Sequence, residues 1–228
     1  MEQIEWSLVR LVIFDLDGTL YDQRCIRRRM LWELGLYLLR HPSDLAVLEV
    51  IAEFRRARER LADEDAERIR ELQYQRPAST LGVDPEQVAE VIGEWIEERP
   101  LKHLLRCRFA AVEELFERLR ESRKRIAVFS DYPVQAKVRA LRLNPDFIAA
   151  AEDPEIDRLK PHPAGLEYLM RRSGFTPEQC LMIGDREDRD GACARRAGIR
   201  YLIKTPSPRA PHHFRGFREL LPGLVGVE

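Results

Sequence analysis

No charge of one sign dominates this chain. Its 228 residues carry 38 basic and 39 acidic side chains, a formal net charge of −1, so no global basic field draws it to nucleic acid. No apolar run reaches the roughly 20 residues of a membrane-spanning helix. The opening stretch Met1–Arg10 holds Glu2 and Glu5 around no long apolar core, which excludes a secretory signal peptide. Cysteine is sparse: Cys25, Cys107, Cys180 and Cys193 are scattered without a CxxC pair. That spacing reads as free thiols in a reducing compartment, neither a disulfide framework nor a zinc site. Internal repeats and low-complexity segments are absent as well. The expectation is a soluble cytoplasmic protein with no nucleic-acid or membrane partner, its oligomeric state unreadable.

What is present is an ordinary apolar share, 44%, beside a charged share of 34%. The second exceeds the usual quarter and suggests amphipathic helices with wetted outer faces. The length suits one sizeable core, or a core with a smaller inserted domain.

The chain is organised around Leu8–Tyr21. The apolar run Leu11–Phe14, β-branched at Val12 and Ile13, stops at Asp15; Asp17, Gly18 and Thr19 follow. This pattern is a buried parallel strand opening into a turn. Helical spacing follows: Leu31, Leu34, Leu38 and Leu39; then Leu45, Leu48, Ile51 and Phe54; then Val88, Val91, Ile92, Trp95 and Ile96 behind Asp84-Pro85. Pro42, Pro77, Gly82 and Pro100 read as breaks. After residue 107 strand and helix alternate. The strands are Arg125–Ser130, Phe147–Ala151, Cys180–Gly184 and Tyr201–Lys204; helices fall at 109–120, 134–143, 163–172 and 191–197. A short helix is expected near Phe217–Leu221. Alternation of this kind defines an α/β fold, a Rossmann-like parallel sheet with helices on both faces. The expected organisation is a discontinuous core, residues 1–21 and 102–228, interrupted by an all-helical cap at 22–101.

Ligands of open parallel sheets bind beyond the carboxyl ends of the strands. Asp15 and Asp17 follow the first strand, Ser130 ends the second, Lys160 lies in the loop after the third, and Asp185 follows the fourth. All converge on one crevice. Two carboxylates at the exit of a buried strand are costly unless a metal ion or a reacting group faces them.

DLDGT, a strand-ending serine, a loop lysine and GDREDRD, in that order and at those gaps, resemble the haloacid dehalogenase superfamily of phosphohydrolases. The helical insertion resembles the cap such proteins place after the first motif. The resemblance implies that Asp15 is a nucleophile forming an aspartyl-phosphate and that Asp17 is the general acid and base. It also implies that Asp15, Asp185 and the Asp17 carbonyl hold Mg²⁺. Ser130 and Lys160 would bind the phosphoryl group, Lys160 also orienting Asp15, and Asp190, rather than Asp188, would stand behind them. The expected substrate is a small phosphorylated metabolite: a sugar phosphate, a phosphoglycolate-like acid or a nucleotide. About thirty positions between Ser130 and Lys160 leave no room for a second cap. A phosphomutase, a dehalogenase and a non-catalytic binding module are the alternatives.

Thr19 is expected to secure the first turn near the substrate. Arg24 and Arg28, four apart after the first motif, are candidates for binding an anionic substrate. Arg55, Arg56, Arg58 and Arg60 read as a solvated helix face, His103 as a structural group between cap and core, and His212-His213 as solvated tail.

Overall fold

In a computed structural model, residues 4–224 are described; the outermost ends of the expected core segments lie outside them. Six strands form one sheet: β1 (Leu11–Phe14), β2 (Arg125–Ser130), β3 (Phe147–Ala150), β4 (Cys180–Gly184), β5 (Arg200–Lys204) and β6 (His213–Phe214). Their order is β3-β2-β1-β4-β5-β6, and every pair is parallel. β1 is central, Leu11 pairing with Arg125 on one side and Cys180 on the other.

All four β1 residues are buried, as a strand covered on both faces requires. Successive side chains point to opposite faces. Val12 and Phe14 join a core cluster with Phe116 and Phe217; Leu11 and Ile13 join another with Leu166 and Cys193. The strand's carboxyl end, and with it Asp15, is thereby fixed from both sides.

The helices between β1 and β2 are α1 (Gln23–Arg40), α2 (Ala46–Asp63), α3 (Ile69–Leu81), α4 (Pro85–Ile92), α5 (Leu101–Cys107) and α6 (Val112–Glu121). The later crossovers use α7 (Gln135–Ala140), α8 (Ala164–Ser173) and α9 (Ala192–Arg196). The cap has its own small core of Val50, Phe54, Ala78, Val88 and Ile92. It also rests on the sheet domain: Leu61, Ala62 and Ile69 pack with Ile156 and Leu159, and the Arg70 amide donates to Asp157 Oδ1 at 2.9 Å.

The structure corrects several sequence readings. α1 begins at Gln23, not in the thirties, because the Asp22 side chain caps it by accepting from the Arg24 amide at 2.8 Å. Pro77 is not a break. It lies inside α3, which ends in the left-handed Gly82. The tail adds β6 to the sheet, so His212 and His213 are half-buried against Glu187 rather than solvated. Arg58 is buried, not solvated.

The cysteine reading fails for one pair. Cys25 and Cys107 form a disulfide, while Cys180 and Cys193 are free and buried. The pair closes the neck of the insertion. There the Asp22 amide donates to the Cys107 carbonyl at 2.8 Å and the Phe109 amide to the Leu20 carbonyl at 3.1 Å. Tyr21 bridges both Asp17 and Arg108 as an isolated β-bridge. The two chain crossings are adjacent for backbone reasons, and the cysteines flank them.

Among the described residues no helix is long and apolar enough to cross a membrane.

Candidate active site

Asp15 extends the β1 ladder by one residue, its amide donating to the Ile183 carbonyl at 2.8 Å. Its side chain is buried. Oδ1 accepts from Lys160 Nζ, while Oδ2 is buried with no hydrogen-bond donor. Lys160 Nζ lies 2.7 Å from Asp190 Oδ1, and its amide donates to Asp131 Oδ1 at 3.0 Å. Asp190 Oδ2 accepts the amides of Asp185 and Arg186 at 3.1 and 3.0 Å. Asp190 thus holds both Lys160 and the turn after β4. Asp188 is exposed and engages Arg186 and Arg189 instead.

Two glycines permit this crowding. A Cβ on Gly18 would stand 2.3 Å from Asp185 Oδ2, and φ there is +101°, a region L-residues avoid. A Cβ on Gly184 would stand 2.4 Å from Asp190.

The electrostatics at this end are in deficit. Burial pushes the Asp15 carboxyl well above the ordinary carboxylate value; Lys160 opposes the shift, and Asp190 and Asp185 reinforce it. Burial, then Asp190, raises Asp185 to about 6 against the opposing charges of Lys160, Lys204 and Arg186. Three carboxylates share one fully buried ammonium. Asp15, Asp185 and Asp190 each offer an oxygen within 4.8 Å of the others. Asp190's oxygens are already committed, which leaves Asp15 Oδ2 and the Asp185 carboxylate as donors. An orphaned buried oxygen and an all-oxygen donor set fit a hard divalent cation such as Mg²⁺. The Asp17 carbonyl receives only a long hydrogen bond, 3.4 Å, from Gln23 Nε2.

Asp17 is held differently. Oδ1 accepts from Tyr21 Oη and, at 2.6 Å, from Lys137 Nζ; Oδ2 accepts from Ser130 Oγ at 2.8 Å. Burial pushes its carboxyl up, yet the charge and hydrogen bond of Lys137, with those of Tyr21 and Ser130, hold it below the ordinary value. Asp17 is therefore an anion here. Ser130 Oγ also accepts the Tyr132 amide at 3.1 Å, so it secures the following turn while touching Asp17.

The other sequence candidates divide. Thr19 is fully buried, its Oγ1 without a partner, and it lies outside the lining of the adjoining cavity. Arg24 and Arg28 are exposed and also outside that lining. The α1 residues that line the cavity are Gln23, Ile26, Arg27 and Met30, a helical i, i+3, i+4, i+7 set, with Arg27 itself exposed. Tyr21 and Lys137, both on Asp17, were not anticipated from the sequence.

A cavity of about 450 Å³ opens between sheet and cap, its floor including Asp17 and Asp185 and its walls Tyr132, Arg55 and Trp95. Small-molecule sites are typically of this size. Arg58 spans the boundary from α2, donating to Gln73 and to the Asp131 carbonyl, with its guanidinium 4.3 Å from the Tyr132 ring centre. Arg189 and Arg186 reach back to Glu59, each at 2.8 Å.

This arrangement is matched by a family model. The chain belongs to the haloacid dehalogenase-like hydrolases, the model matching residues 9–198. Within that family it is similar to the phosphoglycolate phosphatase of Pseudomonas putida, 26% identical over 205 residues that cover 85% of this chain and 68% of that protein. The phosphoglycolate phosphatase of Mannheimia succiniciproducens is 31% identical over 121 residues, 48% of this chain and 54% of that protein. Among solved structures, a HAD phosphatase from Thermococcus onnurineus superposes with a TM-score of 0.68 at 20% identity, covering 96% of this chain and 99% of that one. A 2-haloacid dehalogenase from Pseudomonas syringae pv. Tomato gives 0.65 at 24% identity, covering 95% and 98%. At these identities the structures establish the fold, the parallel sheet with its helical cap.

Proposed function

We propose that this hydrolase is a Mg²⁺-dependent phosphatase, cleaving the phosphomonoester of a small phosphorylated metabolite through an aspartyl-phosphate on Asp15. The observation that carries the reading is the Asp15–Asp17 pair. One carboxylate has an oxygen fixed by Lys160 and the other oxygen unencumbered; the second is an anion oriented by three donors. A nucleophile needs the first environment and a general base the second. Sequence similarity to phosphoglycolate phosphatases supports the same substrate class.

Asp15 would attack phosphorus with Oδ1, the oxygen that Lys160 positions, and Lys160 would offer positive charge to the phosphoryl group. Ser130 Oγ, at the end of β2, donates to Asp17 Oδ2 and would help to orient it. Asp17 would then take the proton of the water that hydrolyses the aspartyl-phosphate. The leaving oxygen would first take a proton through Asp17, supplied by the Tyr21 or Lys137 donor on its Oδ1, and the proton later taken from water would restore that donor. Asp15 Oδ2, the Asp185 carboxylate and the Asp17 carbonyl would hold Mg²⁺, which when bound offsets the repulsion between the Asp15 anion and the phosphate dianion. The helices between β1 and β2 would select the leaving group and exclude water.

The test is release of inorganic phosphate from an aryl phosphate, with Mg²⁺ and with EDTA, by the wild type and by Asp15→Asn, beside halide release from a 2-haloacid. Phosphate release that needs Mg²⁺ and Asp15 is expected. Full turnover in EDTA, or halide release alone, would overturn the proposal.

A further inference from the structure

The charged side chains around the cavity are nearly all committed to partners. Arg58 is bonded to Gln73 and a backbone carbonyl. Arg186 and Arg189 share Glu59, and Lys137 is paired with Asp17. Two cations are different. Arg27 donates only to the neutral Gln23 Oε1, at 2.9 Å. Arg55 has neither a hydrogen-bond nor an ion-pair partner among the described residues.

Both line the cavity, from α1 and α2 respectively, and both remain exposed to solvent there. Loss of solvation lowers the Arg55 guanidinium; Tyr132 opposes the shift, and the charge of Arg27 adds the smallest contribution to it. Two like charges facing one space repel. Arginines on helix surfaces ordinarily find a carboxylate three or four residues away. Arg55 has Glu59 at that spacing, but Glu59 is turned to Arg186 and Arg189 across the cap–core boundary.

We propose that Arg27 and Arg55 form an anion subsite that selects substrates whose leaving group carries its own negative charge, a carboxylate or second phosphate on a short carbon chain. The inference rests on the phosphatase reading above and extends it to substrate class. A planar guanidinium matches either anion through paired N–H donors. A molecule with its phosphoryl group at Asp15 projects its remainder into the cavity, past Asp17. The volume of about 450 Å³ has room for such a leaving group.

The experiment compares three phosphomonoesters built on a two-carbon chain: 2-phosphoglycolate, ethylene glycol bisphosphate and 2-hydroxyethyl phosphate, whose leaving group is neutral. In the wild type, kcat/KM should favour one of the two anionic compounds over the neutral one, and which it is distinguishes carboxylate from phosphate. Arg27→Gln and Arg55→Gln should each lower that preference roughly 10- to 100-fold, the range of a lost charge-assisted hydrogen bond, and Arg55→Lys should restore part of it. Equal losses on all three compounds, or an unchanged preference, would overturn the subsite. Binding of the same compounds to Asp15→Asn protein, measured by titration calorimetry alone and combined with Arg27→Gln or Arg55→Gln, reads the subsite without turnover. If the wild type hydrolyses no phosphomonoester, including the aryl phosphate, the phosphatase reading falls, while calorimetry still decides whether Arg27 and Arg55 bind the anion. Calorimetry showing no dependence on either arginine refutes the subsite under every kinetic result.

Discussion

Lys137 places its Nζ 2.6 Å from Asp17 Oδ1, although 120 positions separate the two in the chain. Lys137 is buried on α7, the helix that follows β2, and its ammonium also lies 4.9 Å from the Tyr132 ring centre. A buried carboxylate without its counter-ion faces the full penalty of desolvation. Lys137→Met should therefore lower stability by about 3 kcal/mol at neutral pH, read by chemical denaturation. In that background Asp17→Asn should cost less than it does in the wild type, because the charge it removes is already uncompensated. Additive losses would show that the two groups do not act as a pair.

Gly165 on α8 should be intolerant of alanine. A Cβ there would stand 2.0 Å from the Phe129 ring, and that ring lies 5.3 Å from Lys160 Nζ. Gly165→Ala should cost about 1–3 kcal/mol through overpacking and reduce turnover through the displaced lysine. Gly35→Ala is the contrast. Nothing lies within 4 Å of that Cβ, and alanine in mid-helix should be neutral or stabilising by up to about 1 kcal/mol. Similar thermal melts for the two variants would contradict this packing.

Acid should loosen the cap. The hydrogen bond from Arg186, then that from Arg189, outweighs desolvation and holds the Glu59 carboxyl at about 2 against an ordinary 4.5. Its folded value lies below its unfolded one, so the stabilisation is complete above about pH 4.5 and is lost as pH falls toward 2. Glu59 is 54% exposed, so screening limits the effect to under about 1 kcal/mol. The difference in melting temperature between wild type and Glu59→Gln should be largest above pH 5 and should vanish on approach to pH 2. A constant difference across that range would exclude Glu59 as the titrating group.

Thiol titration tests the neck. The unreduced, denatured chain should show two free thiols, Cys180 and Cys193, and four after reduction. The bridge closes a separation of 82 residues, so reduction should lower stability by about 2–5 kcal/mol. Four thiols without reductant would restore the reading of the sequence.

Much of the fold could be read because buried parallel strands leave short apolar runs and their ends mark the crevice. Cys180–Gly184 coincides with its sequence reading. β6 escaped because a two-residue strand has no period. Arg24 and Arg28 lie outside the cavity lining, whereas Gln23 and Arg27 lie in it; taking Asp22 as the cap, with Ile26 and Met30 as the apolar stripe, would have placed Gln23 and Arg27 on that side of α1. Lys137 also left a signal: it interrupts the stripe Val134, Val138 and Leu141, a lysine on the buried face of a helix. The disulfide left none, since its partners meet only where the two ends of the insertion cross.

The central place of β1 has a consequence for how the chain is made. Leu11–Phe14 leaves the ribosome early, yet the strands that flank it begin at Arg125 and Cys180. At about 5–20 residues per second, this apolar run waits roughly ten to thirty seconds for its second neighbour. Through that interval its edges are open to other nascent chains, and Asp15 has no Asp185 beside it. Asp15 is the first of the three clustered carboxylates to be synthesised, and it is seated only once β4 has arrived.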